Sequence, residues 1–320
     1  MSETDRDGAA IEWLLASTEP AVRYLARRDL LGEESAADRD AILHGARIRA
    51  LLAGQQRDGS FGEHPYQKWR GAHWRLVSLV EHAIPPGEPR AVAAAETVLT
   101  WLTGRGRLDR LAPPVAGLPR RHASIEGNAL AVCARLGLAA DPRVASLAAA
   151  LVTWQWPDGG WNCDPSPAAH RSSFHESLGS MWGLHEYAAA TGDKAAATAV
   201  ARAGELFLEH RLFKSLQTGE PIRRDFAEPH YPPYWHYDVL QALLVLGRAG
   251  LAGDPRTADA VELLRSRQRP DGRWRPARRW RTPPGSGRPA AEVLDWGRGA
   301  DEMTSLNALR ALRAAQTSSA

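Results

Sequence analysis

One motif recurs in this chain too regularly for an ordinary turn. Gln55-Gln56-Arg57-Asp58-Gly59-Ser60-Phe61, Gln155-Trp156-Pro157-Asp158-Gly159-Gly160-Trp161 and Gln268-Arg269-Pro270-Asp271-Gly272-Arg273-Trp274 share the spacing Gln-x-x-Asp-Gly-x-aromatic. The glutamines are 100 and 113 residues apart. A period near half of that implies degenerate copies in between, where Trp101-Leu102-Thr103-Gly104 and Leu216-Gln217-Thr218-Gly219 stand. Self-similarity at a fixed period marks a repeat architecture. Asp-Gly is a turn pair, because Asp bonds nearby backbone N–H groups and Gly accepts a positive φ. The glutamine can bond the loop backbone, and the aromatic can fold back to plug the gap between helix ends.

Helical segments flank each loop. Those before it carry charge on one side: 90–103, 142–155, 193–210 and 255–268. Those after it are apolar nearly all round: 73–82, 123–138, 174–187 and 234–247. A helix with a charged face sits outside, and one apolar on every side is buried. Inner helices are expected near 20–31, 66–83, 119–138, 170–190, 232–249 and 300–315. Outer ones are expected near 8–17, 37–54, 89–103, 141–156, 194–212 and 255–268. No stretch alternates Val, Ile or Thr as a strand would. Six inner and six outer helices close into an all-α (α/α)6 toroid; an open α-solenoid is the alternative. The expectation is one domain over 1–320, with 8–31 closing the ring and 316–320 a disordered tail.

Composition excludes several function classes. Lys+Arg number 40 and Asp+Glu 37, a net charge of +3. Three are lysines (Lys68, Lys194, Lys214), leaving 37 arginines, and the basic residues are spread along the chain. A nucleic-acid binder gathers them on one face. The run Arg273–Arg281 interleaves aromatics as a single-strand surface does, but it is one short loop after a structural motif, so no nucleic acid is expected. No apolar run approaches a membrane span of ~20 residues. The acidic start has no apolar signal core. Two cysteines, Cys133 and Cys163, make no disulfide framework. A cytoplasmic setting is therefore expected.

At the repeated loops the chain resembles the terpenoid cyclase/protein prenyltransferase superfamily. Gln-x-x-Asp-Gly-x-Trp is similar to the repeat motif of squalene–hopene cyclases, and the glycine–aromatic loop to that of prenyltransferase β subunits. The segments Ala21-Val22-Arg23-Tyr24-Leu25, Asp158-Gly159-Gly160-Trp161-Asn162-Cys163, Ser172-Ser173-Phe174-His175 and Trp235-His236-Tyr237-Asp238-Val239-Leu240 resemble the small bacterial prenyltransferase- or squalene-cyclase-like proteins. The likeness covers roughly residues 10 to 315. It implies an α/α toroid and, more weakly, an enzyme acting on an isoprenoid or similar apolar substrate in a central cavity. The chain departs from the pattern in having no adjacent aspartates, so both the Asp-x-Asp-Asp acid of the cyclases and the Asp-Asp-rich magnesium clusters are absent. The alternative is a non-catalytic toroid binding a lipid-like ligand or a partner protein. A carbohydrate-active toroid would need two carboxylates at a set separation.

The polar residues collect near inner-helix starts, which rim the cavity in such a fold. His73, His122, His175 and His236 occupy similar places in successive repeats, with Glu126, Glu176 and Asp238 beside them. Asp301 and Glu302 open the last inner helix, where a buried pair could share a proton. These nine are the candidate catalytic groups, and the four histidines with Glu176 are expected to point into one central pocket. Trp69, Trp74, Phe174, Tyr234, Trp235 and Tyr237 are candidate cavity walls, and Arg120, Arg121 and Arg171 candidate anion holders, with Arg223 and Arg224 nearby. By analogy with the prenyltransferase zinc site, Cys163, His175 and His236 are the expected zinc ligands, with Asp238 the weaker fourth. Cys133 lies among apolar residues and is expected in the core.

Overall fold

The computed structural model of the chain describes residues 2–277 and 291–317. Its α-helices are α1 (Glu3–Leu15), α2 (Pro20–Ala26), α3 (Ala36–Ala41), α4 (Ala46–Leu52), α5 (Ala72–Glu81), α6 (Pro89–Thr103) and α7 (Arg105–Leu108). They continue as α8 (Ala123–Arg135), α9 (Pro142–Trp154), α10 (Phe174–Thr191), α11 (Lys194–Glu209), α12 (Val239–Arg248), α13 (Ala258–Ser266) and α14 (Gly297–Thr317). A π-helical turn, Arg27–Leu31, prolongs α2. Among the described residues there is no strand, only two isolated bridges. The fold is all-α.

The two kinds of helix differ as their sequences require. In α12, Val239 to Leu246 are all buried; in α8, Ala123 to Cys133 are. In contrast, α9 buries only Val144, Leu147, Ala148 and Leu151, the i, i+3, i+4, i+7 stripe of a surface helix. Each buried helix packs on its neighbour's: α5 on α8, α8 on α10, α10 on α12, α12 on α14, and α14 on α2. The striped helices α6, α9, α11 and α13 pack on α5, α8, α10 and α12 respectively.

The closest packing is between α8 and α10, and glycine permits it. A Cβ on Gly127 would stand 2.4 Å from Gly179 O, and one on Gly183 2.2 Å from Gly127 O. This backbone contact sets the first turns of the two helices against each other.

The three motif loops are built alike. Gln55, Gln155 and Gln268 donate through Nε2 to the carbonyls of Gly59, Gly159 and Gly272, at 3.1, 2.8 and 3.1 Å. An arginine from the following striped helix donates to each glutamine's Oε1: Arg90, Arg202 and, for the third loop, Arg6 of α1. The loop glycines have φ of +85°, +93° and +80°. A Cβ there would meet Ala93, Arg202 and Arg6 carbonyl oxygens at 2.3, 2.3 and 2.0 Å. The aromatic does fold back: Trp161 and Trp274 donate through Nε1 to Leu151 and Leu264 carbonyls of the preceding helix, at 2.8 and 2.7 Å.

Several boundaries differ from expectation. The buried helices start later than 66, 119, 170 and 232, at Ala72, Ala123, Phe174 and Val239, because the residues before them form loop and turn rather than helix. The degenerate copies lack the motif geometry: Trp101 to Thr103 end α6, and Gln217 to Gly219 form a turn. Gln316 and Thr317 belong to α14 rather than to a loose tail, and Ser318–Ala320 lie outside the described residues. Asp301 and Glu302 lie in the second turn of α14 and diverge, since successive helix positions are ~100° apart. Asp301 faces Arg275 at 3.1 Å, whereas buried Glu302 pairs with Arg47 and accepts from Ser17 Oγ at 3.0 Å. They share no proton.

Candidate metal and substrate site

The α8–α10 contact brings three donors together at the N-terminal rim of the buried helices. Glu176, in the first turn of α10, accepts the Ser124 N–H of α8 on Oε2 at 2.9 Å. Its Oε1 lies 3.3 Å from Nδ1 of His122, the residue that precedes α8. Cys163, just after the Gln155–Trp161 motif loop, completes the group: one donor atom from each of His122, Cys163 and Glu176 lies within 4.8 Å of the others. Glu176 is buried, Cys163 half-buried and His122 exposed, so the group opens to solvent on the histidine side.

The electrostatics follow from that arrangement. Contact with Cys163, then with Glu176, pushes the His122 imidazole up to about 10, so a metal bound there would have to displace its proton. Burial opposes ionisation of Glu176, but His122 and the Ser124 N–H outweigh it and lower its pKa. Tyr66 is pushed well up by burial and by Glu176, Glu126 and Cys163, so its hydroxyl stays protonated. A thiolate, an imidazole and a carboxylate suit zinc. Three protein donors leave the open position that catalytic zinc keeps.

The expected trio of Cys163, His175 and His236 does not assemble. His175 and Glu176 are successive on α10, and it is Glu176 that turns toward α8 and Cys163. His175 turns the other way, toward the segment before α12. Its Nδ1 accepts the Tyr237 N–H at 2.9 Å, and its ring centroid is 6.1 Å from that of His236. Burial, then Arg223, lowers its pKa. Asp238 is also no metal ligand. It is fully buried, caps α12 by accepting Gln241 N–H at 2.9 Å, and holds His230 with its other oxygen.

His175 and His236 line a narrow central throat with Trp182, Tyr234 and Trp235. Its free volume is only about 50 Å³. Trp69 closes one side by stacking on Tyr234 at 4.5 Å, and Trp235 stacks on His236 at 3.9 Å. The Lys68 ammonium lies 5.3 Å from the Trp235 ring. A larger groove of about 720 Å³ adjoins the throat at His175. Phe174, Leu206, Leu216, Ile222 and Phe226 line it, and Leu216 is 66% exposed. Arg171 and Arg223 stand at its edge.

Other candidates have structural places. His73 does not reach the throat; it is buried against Leu76, Ala95, Val98, Ala129 and Cys133. The four histidines therefore do not share one pocket. Cys133 is core, and burial pushes its thiol up to about 12. Glu126 is buried and paired with Arg107, whose guanidinium also lies over Trp101. Tyr237 packs on Phe174 and Phe207 and donates to Leu212 O. Trp74 donates through Nε1 to Tyr66 O at 3.4 Å. Arg120 and Arg121 are occupied by carbonyls, Ala169 O at 2.9 Å and Ala112 O at 2.6 Å, and lie over Trp156 and Trp154. Arg224 pairs with Glu228. Arg273 lies over Trp13 and Arg275 pairs with Asp301, while Arg278–Arg281 lie outside the described residues.

Sequence reasoning missed Tyr66, Arg107 and the Ser124 N–H. Tyr66 and Arg107 stand in connections with no motif, and no spacing sets them against α8 or α10. No protein-family model matches the chain, and no curated protein matches it. No helix among the described residues is long and apolar enough to cross a membrane.

Proposed function

We propose that this chain is a zinc-dependent enzyme of the α/α-toroid kind, acting on an isoprenoid or similar apolar substrate. The convergence of His122, Cys163 and Glu176 from two repeats carries this reading. The series of buried helices from α5 through α8, α10, α12 and α14 to α2, and the docking of the Gly272 loop on α1, support a ring arrangement. The motif loops support the likeness to cyclases and prenyltransferases.

His122, Cys163 and Glu176 would hold the metal. Bound there, zinc supplies a Lewis acid that keeps a thiol or water deprotonated at neutral pH. Glu176 is oriented for this by the Ser124 N–H. The throat is too small for an isoprenoid chain, so the adjoining groove, on the His175 side of α10 rather than at the metal donors, would hold the substrate. Its apolar part packs on Phe174, Leu206 and Ile222, and Arg171 and Arg223 meet an anionic head group. The exposed Leu216 and Ile222 equally suit a non-catalytic toroid that binds a lipid-like ligand.

Metal analysis of protein purified without added metal tests the proposal. About one zinc per chain is expected, with Cys163→Ala losing it at unchanged helical circular dichroism. A wild type that stays metal-free after zinc addition and desalting would remove the metal, and co-purified lipid in that protein would favour the binding module.

A further inference from the structure

The opposite end of the buried helices carries a second cavity, of about 640 Å³, unrelated to the zinc reading. It sits where α5, α8 and α12 finish, at Glu81, Arg135 and Arg248. Arg28, Arg39, Arg135, Arg248, Arg310 and Arg313 line it. Among the described residues only two carboxylates do, Asp29 and Glu81. With Glu186 behind Arg135 and Asp40 beside Arg39 included, the six guanidinium groups exceed the carboxylates around them by two.

The two carboxylates are already shared. Glu81 takes Arg248 at 3.0 Å and Arg135 at 3.5 Å. Asp29 takes Arg28 at 2.6 Å and also Arg310. Nε of Arg310 is buried without a hydrogen-bond partner. Burial lowers the pKa of Arg135 and Arg310, whereas at Arg28 and Arg248 the neighbouring carboxylates outweigh burial and raise it, so the anions present serve only part of the cluster. Helix C-termini attract cations, and Arg135 does donate to Val80 O at 3.3 Å. Three helix ends carry only partial charges and do not balance six guanidinium groups.

We propose that this cavity is a binding site for a small multivalent oxyanion, a phosphate ester or a polycarboxylate. Its volume is in the range of small-ligand pockets, about 300–1,000 Å³. Guanidinium groups suit both ligand types, because each presents paired oxygens to the arginine fork.

Calorimetric titration with pyrophosphate and with citrate, each against sodium chloride at matched ionic strength, tests this on the full chain. Saturable binding of one or both is expected, and the stronger ligand identifies the oxyanion class. The rim arginines are the ones to change, since Arg248 and Arg310 hold the fold. The double variant Arg39→Gln/Arg313→Gln is expected to weaken binding at least tenfold while keeping its melting temperature without ligand. Arg223→Gln, at the other end, is expected to bind as the wild type does. No saturable binding of either probe, or equal loss in Arg223→Gln, would mean that the arginines only cap helix ends. Because the site is remote from Cys163, zinc content is expected to be unchanged in the rim variants.

Discussion

His73 shows how a candidate catalytic residue can be structural. It is buried, no partner meets its Nε2, and burial followed by Arg107 lowers its pKa to about 3. His82, at the other end of α5, is held near 4 by burial and then Arg47. Both stay neutral in the folded chain at pH values where an unfolded histidine, with a pKa of about 6.5, takes up a proton. Between about pH 6.5 and pH 4 the unfolded state binds more protons, so stability falls as pH falls. Each histidine contributes a slope approaching ~1.4 kcal/mol per pH unit. Urea unfolding at pH 7, 6 and 5 should show this loss. His73→Leu should be at least as stable as the wild type at pH 7, because it removes an unpaired buried nitrogen, and its slope should be shallower. An unchanged slope would place His73 in contact with water.

At the scale of the element, the motif loop couples one hairpin to the next. The glutamine closes its own loop and is gripped by an arginine from the next striped helix, while the glycine lies against that helix's backbone. Gly159→Ala would put a methyl 2.3 Å from Arg202 O at a φ of +93°. Strain and overpacking together should cost about 3 kcal/mol or more. Gly192, which ends α10 at φ +74°, has open space around its Cβ position. Gly192→Ala should therefore cost only about 1 kcal/mol. Chemical denaturation of the pair measures the difference, and similar midpoints would mean that the loop does not bear on α11. The motif was legible in the sequence because turn chemistry and period are local. The missing degenerate copies were not, since nothing local distinguishes a helix end from a motif.

Across the whole molecule, the chain's beginning and end are tied together. Arg265 of α13 pairs with Asp7 of α1 at 2.6 Å. Glu302 of α14 joins Arg47 of α4 to Ser17 between α1 and α2. Glu302→Gln leaves the largely buried Arg47 guanidinium uncompensated and should destabilise by about 3 kcal/mol. The loss should appear as one shifted transition by both circular dichroism and tryptophan fluorescence. Glu63→Gln, which breaks the more exposed pair with Arg70, should cost less than about 1 kcal/mol. Separate transitions by the two probes in Glu302→Gln would show that the ends are not part of one cooperative unit.

The sequence by itself determined the helices, their division into buried and striped kinds, and the three loops that join them, because periodicity and turn chemistry act over a few residues. It also singled out His122 and Glu176 as polar groups near helix starts, and the resemblance pointed to Cys163 as a metal ligand, though with His175 and His236. Only the tertiary structure decided which of them meet. His175 and Glu176 are neighbours in the chain, and ~100° of helix rotation sends one to the throat and the other to Cys163. Asp238, Tyr237 and Glu302 looked equally available, yet caps, carbonyls and ion pairs from distant segments occupy them. The arginine-lined cavity had no signature at all. Its members lie between positions 28 and 313 and become a charge cluster only where separate helices end side by side.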